Sequence, residues 1–205
     1  MAGLELPERC GVMLLPNCTL FPHGGLPLFI FEPRYRRMLE EALEGDCFFA
    51  VARLLGEETD NPADCCAPLG TIGLVRASRE QGDGTSQLLL HGGMRVRFTE
   101  WHQDSLYPMA TIQPVPCYFE PKEQAKAAMK TLRGAVEDAI RELPSDVQMG
   151  VLALIDRADG PELMTDIVSQ QFVHDADLRQ RLLEMDSAGD RIPLLCDYLR
   201  KVSKS

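Results

Sequence analysis

Apolar positions in the first part of this chain alternate with a period near two, and in the last part they recur at helical spacing. Gly11 to Leu15 alternates weakly and predicts a strand. Leu26 to Phe31 predicts a second, more fully buried strand, bounded by Gly24-Gly25 and Pro33. From Pro33 the period changes. Tyr35, Met38, Leu39 and Ala42 fall at helical spacing, Pro33 takes the favoured first-turn place, and Gly45 ends the run. Cys47 to Leu54 is a further buried strand, and the acidic, proline-bearing stretch from Gly56 to Pro68 is an exposed loop.

Gly70 to Ser78 begins the next strand. Asp83-Gly84, flanked by strand sequence, marks a hairpin turn within Glu80 to Ser86. Gln87 to Leu90 and Arg95 to Trp101 follow as strands broken at Gly92-Gly93, where a bulge or sharp bend is expected, and Tyr107 to Pro114 is the last. The character shifts near Pro114 to Pro121. Beyond it Ala125, Ala128, Met129, Leu132, Val136, Ala139 and Ile140 keep helical spacing as far as Pro144. Ser145 fits an N-cap for a short apolar helix over Val147 to Ile155, and Asp159-Gly160-Pro161-Glu162 is a break and a restart. Asp175 caps a helix through Leu178, Leu182, Leu183 and Met185, and Ile192 to Val202 makes the last one. The predicted fold class is α+β. A β-rich domain over residues 1–118 contains one helix near residues 33–44, and a carboxy-terminal helical bundle over residues 119–205 packs against it.

The order Leu20-Phe21-Pro22, Pro27-Leu28 and Ile30-Phe31-Glu32-Pro33-Arg34-Tyr35 resembles the start of the amino-terminal substrate-recognition domain of the Lon family of ATP-dependent proteases. The resemblance continues in Gly70-Thr71-Ile72-Gly73 and in Gly93-Met94-Arg95-Val96-Arg97-Phe98. In the helical part it rests on Gly160-Pro161-Glu162-Leu163, Asp166-Ile167-Val168, the run from Leu178 to Asp186, Arg191 and Leu194-Leu195. It implies that the β-rich domain is a PUA-like pseudobarrel and that the chain engages polypeptide through exposed apolar surface. Unfolded or extended polypeptide is the implied partner, with a protease or chaperone beside it. The chain departs from full-length Lon in what it lacks. No GxxxxGK[ST] occurs, nothing corresponds to the Ser-Lys pair of the Lon peptidase, and the chain ends at Ser205, so it resembles the stand-alone bacterial form of the module. Leu20, Phe21 and Leu26 flank the loop His23-Gly24-Gly25 and are the candidate polypeptide-binding residues; the competing reading is that they cap the barrel core. A second functional class is a PUA-like barrel that binds RNA or a small-molecule ligand.

Composition narrows these classes. Hydrophobic residues make up 45% of the 205, enough for a substantial core. The apolar stretch around Leu26 to Phe31 is too short to span a bilayer, and the opening MAGLELPER lacks the apolar region of a secretory signal, so a cytoplasmic location is expected. The formal net charge is −10, whereas a nucleic-acid binder needs a basic face to displace counterions from phosphate. The basic run Arg34, Arg36 and Arg37 is followed by Glu40, Glu41 and Glu44 at pairing distance along a helix. Nucleic acid is therefore not the expected partner.

Candidate chemistry is sparse. The seven cysteines are scattered, without a CxxC pair, and adjacent Cys65-Cys66 is poor geometry for one tetrahedral metal. Cys47, Cys117 and Cys196 read as small core residues. His23, His91, His102 and His174 share no ligand spacing, and there is no GxSxG. Ser203 and Ser205 beside Lys201 and Lys204 lie in a tail expected to fray. No catalytic residue, cofactor or metal is expected, and Trp101 reads as core or interdomain packing.

Overall fold

The computed structural model describes residues 6–203. Lys204 and Ser205 of the expected fraying tail, and the first residues of the amino-terminal stretch, lie outside the described residues. The chain divides into two compact units, one running through Val115 and the other from Pro116 onward.

Two parallel neighbours form the middle of the first unit. β1 (Arg9–Pro16) and β3 (Phe48–Leu54) pair with Val12 opposite Ala50 and Leu14 opposite Ala52. Both strands are buried on both faces, which is why they read as near-continuous apolar runs. Successive side chains serve two separate cores. Val12, Leu14, Ala50 and Ala52 join one cluster with Ile72, Val96, Phe98 and Ile112, whereas Met13, Phe49 and Val51 join another with Tyr35, Met38 and Leu39. Those last three belong to α1 (Pro33–Glu44), whose Tyr35 hydroxyl accepts a hydrogen bond from the Leu14 amide at 3.1 Å and so ties the helix to β1.

The remaining strands are antiparallel. β4 (Leu69–Glu80) pairs with β3, and the long β5 (Ser86–His102) pairs with β4. β6 (Met109–Pro114) bridges β1 and the second half of β5, closing a ring of β5, β4, β3, β1 and β6. β2 (Gly25–Ile30) stands outside that ring, paired only with the first half of β5. The two predicted strands Gln87–Leu90 and Arg95–Trp101 are thus one strand. The expected irregularity sits at Gly93, since Gly92 is opposite Gly73 and Met94 opposite Ile72, leaving one extra residue on β5. That extra residue reverses the side-chain alternation. Leu88 and Leu90 face the helix-side core, and Val96 and Phe98 face the barrel core although all four are even-numbered.

The second unit is helical, with α2 (Ala125–Ala139), α3 (Ser145–Ile155), α4 (Pro161–Phe172), α5 (Ala176–Glu184) and α6 (Ala188–Val202). Helix α6 packs against both α2 and α4. Asp175 caps α5 as expected, accepting from the Leu178 amide at 2.7 Å. Ser145 does not cap α3; it is the first helical residue, and extended Pro144 precedes it with no side-chain cap. The last helix begins earlier than its apolar period suggested, because the Ser187 hydroxyl caps it by accepting from the Asp190 amide. Arg191 is fully buried, with its guanidinium 2.6 Å from the Asp166 carboxylate and also donating to the Met185 carbonyl at 2.7 Å.

Candidate functional site

The expected apolar rim at Leu20, Phe21 and Leu26 is not a presented surface. Leu20 and Phe21 are 1% and 0% exposed, and Leu26 is half-buried against the helix-side core. The backbone explains why. The Leu20 carbonyl accepts a hydrogen bond from the buried Thr71 hydroxyl at 2.6 Å, and the His23 amide donates to the Gly92 carbonyl at 2.8 Å. Gly92 in turn donates to Gly24, and a Cβ at position 92 would stand 2.1 Å from the Phe21 carbonyl oxygen. The loop is pressed onto the sheet from above, which drives its apolar side chains inward.

An exposed apolar face lies instead on the strand that follows. Along β2, Leu26, Leu28 and Ile30 turn inward, leaving Pro27 and Phe29 outward, and Phe31 continues the outward set just past the strand end. Cross-strand register extends this face over three strands. Pro27 is opposite Leu89 and Leu89 opposite Ala77; in the next row Phe29 is opposite Gln87 and Gln87 opposite Arg79. The residues border an open groove of about 520 Å³. Phe29, Phe31 and Leu89 are 53%, 59% and 43% exposed, and the two phenyl rings stack with centroids 6.0 Å apart. β2 is an edge strand, and Pro27 in its middle has no N–H to offer an added strand, so the edge is blunted while the face remains open. The sequence reading missed this face because GLPLFIF has apolar residues at both parities, and only the position of β2 outside the ring leaves one parity uncovered.

A second cleft, of about 370 Å³, runs between α1 and the outer half of β4 and mixes Leu39, Leu43 and Val75 with Arg36, Arg76, Glu40 and Glu80. It gathers opposite charges rather than a reactive pair. Elsewhere in this unit the Tyr107 hydroxyl donates to the Glu41 carboxylate, and burial together with that bond pushes the phenol up to about 12. Glu58 is held below the usual carboxylate range by the Arg34 guanidinium, which donates to it at 2.8 Å. Burial pushes the Cys10 and Cys66 thiols up to about 12, the opposite of what a nucleophilic thiolate needs. His91 is lowered by burial, with neighbouring Arg76 and His23 adding to the effect. Trp101 packs on the barrel core, its ring 5.2 Å from that of Phe98. Among the described residues no three His, Cys, Asp or Glu side chains gather as metal ligands, and no helix is long and apolar enough to cross a membrane.

Residues 9–201 match the family described as the ATP-dependent protease La (LON) substrate-binding domain. A Lon protease of Xanthomonas oryzae pv. oryzae is 32% identical over 199 residues, which cover 94% of this chain and 22% of that protein. Lon protease 2 of Syntrophobacter fumaroxidans is 28% identical over 200 residues, 96% of this chain and 25% of its relative. The chain thus spans about a quarter of the length of these relatives. The fold is that of the N-terminal domain of the Mycobacterium avium complex Lon protease, with a TM-score of 0.75 at 13% identity, covering 94% of this chain and 98% of that one. A Lon N-terminal domain protein from Xanthomonas campestris gives 0.63 at 17% identity, covering 91% and 96%. The mixed six-stranded sheet with its helices, and the family match along almost the whole length, place this chain in the Lon substrate-binding domain family.

Proposed function

We propose that this chain is a non-catalytic recognition module that binds extended or unfolded polypeptide on the outer face of β2, β5 and β4. Family membership supports a role in substrate recognition. The observation that carries the finer reading is the cluster of Phe29, Phe31 and Leu89, three large apolar side chains roughly half exposed on one face. Water-exposed aromatic pairs of this kind are a standing free-energy cost unless a partner covers them. Burying one in a client is worth about 1.5–3 kcal/mol. An RNA-binding role is less well supported, because the groove is apolar and holds a single cation.

The test is a titration of the chain into a fluorescent, reduced and carboxymethylated client that cannot refold. Wild type should bind, and Phe29→Ser should weaken binding about tenfold. Failure of wild type to bind any unfolded client, or unchanged affinity in Phe29→Ser, would refute the proposal. A single-stranded RNA oligomer run in parallel should show no saturable binding.

A further inference from the structure

Arg79 is the one charged side chain lining the apolar groove among the described residues. Register fixes its place at the end of the row Phe29, Gln87, Arg79, beside the wholly apolar row Pro27, Leu89, Ala77. It is exposed and takes part in no ion pair among the described residues. Glu80 lines the cleft on the α1 side with Arg36, and Asp83 accepts hydrogen bonds from the Thr85 amide and hydroxyl at 3.0 and 2.7 Å.

We infer that this face selects extended segments in which an aromatic or large aliphatic side chain is accompanied, about two positions away, by a carboxylate. The inference rests on the polypeptide-binding reading above. Neighbouring strands lie about 4.8 Å apart, so the backbones at Phe29 and Arg79 are separated by about 10 Å. In an extended segment crossing the strands, side chains two positions apart point the same way about 7 Å from each other. The long stem of Arg79 spans the remaining distance, and its planar guanidinium offers a carboxylate two parallel donors. The chain as a whole works in the other direction. A net charge of −10 sets up a field that draws basic segments, so a preference for acidic ones has to arise at the local cation.

The experiment uses the full chain and three labelled peptides sharing a Phe-Leu-Phe centre, flanked by Glu, Gln or Lys, read by fluorescence anisotropy at low ionic strength. The Glu peptide should bind about three- to fivefold tighter than the Gln peptide, the size of an exposed ion pair. The margin should shrink in roughly 0.5 M salt. Arg79→Gln should erase the difference between Glu and Gln peptides, and Arg79→Glu should place the Lys peptide first. Equal binding of Glu and Gln peptides by wild type, or an unchanged order in Arg79→Glu, overturns the inference and leaves polypeptide binding standing. Failure of all three peptides to bind overturns both.

Discussion

Phe21 and Phe29 are the same side chain in opposite environments, 0% and 53% exposed, and substitution should separate them cleanly. Phe21→Ala should cost about 3–5 kcal/mol, the range for a truncated core aromatic, read as a lower midpoint in denaturant. Phe29→Ser, on an open face, should move stability by only about 0.5 kcal/mol while client affinity falls. A Phe21 variant as stable as wild type would show that the loop is not packed as described. The cysteines give a second residue-scale expectation. With thiols near 12, Cys10 and Cys66 should carry roughly one part in ten thousand thiolate at pH 8. Both should therefore escape iodoacetamide in the native chain and react fully in denaturant, as mapped by mass spectrometry. Fast native labelling of Cys66 would contradict its burial. Burial of this kind was only partly legible beforehand: apolar context marked Cys47, Cys117 and Cys196 as core residues, yet of these only Cys196 is buried. Cys10, Cys65 and Cys66 are buried as well, and their immediate sequence context carried no such signal.

At the scale of elements, β5 organises the first unit. Its first half carries β2 and its second half carries β6, and the extra residue at Gly93 switches which core it feeds. Gly92 is the position where the loop over residues 17–24 touches down. Gly92→Ala forces a methyl group against the Phe21 carbonyl oxygen, backbone that cannot rotate away, and should destabilise by about 3 kcal/mol or more. A Gly92→Ala melting curve that overlays wild type would mean the loop yields. Gly-Gly in strand sequence announced an irregularity at this place, but periodicity cannot say whether a chain breaks or bulges there. That depends on whether a partner strand continues past the glycines, and β4 does. Helix boundaries behaved similarly. Pro33 and Asp175 opened their helices as their chemistry suggests, whereas Ser145 ceded its capping place to Pro144.

On the scale of the whole molecule, the 205-residue sequence contains no GxxxxGK[ST] motif, and burial holds Cys10 and Cys66 as neutral thiols. Purified chain should neither turn over ATP nor cleave casein; either activity, abolished by a point mutation in this chain, would overturn the non-catalytic reading. The sequence by itself determined the α+β class, the change of period near Pro121 and the kinship with the Lon substrate-binding domain, because each is written in local spacing and residue order. It could not determine which apolar side chains face water. Leu20-Phe21 and Phe29-Phe31 look alike as sequence, and both lie within two residues of a proline. Their difference arises when the glycine loop folds down onto Gly92 and β2 is left outside the closed ring, uncovered on one face. Exposure is decided by what stands opposite a residue in space, and that neighbour comes from elsewhere in the chain.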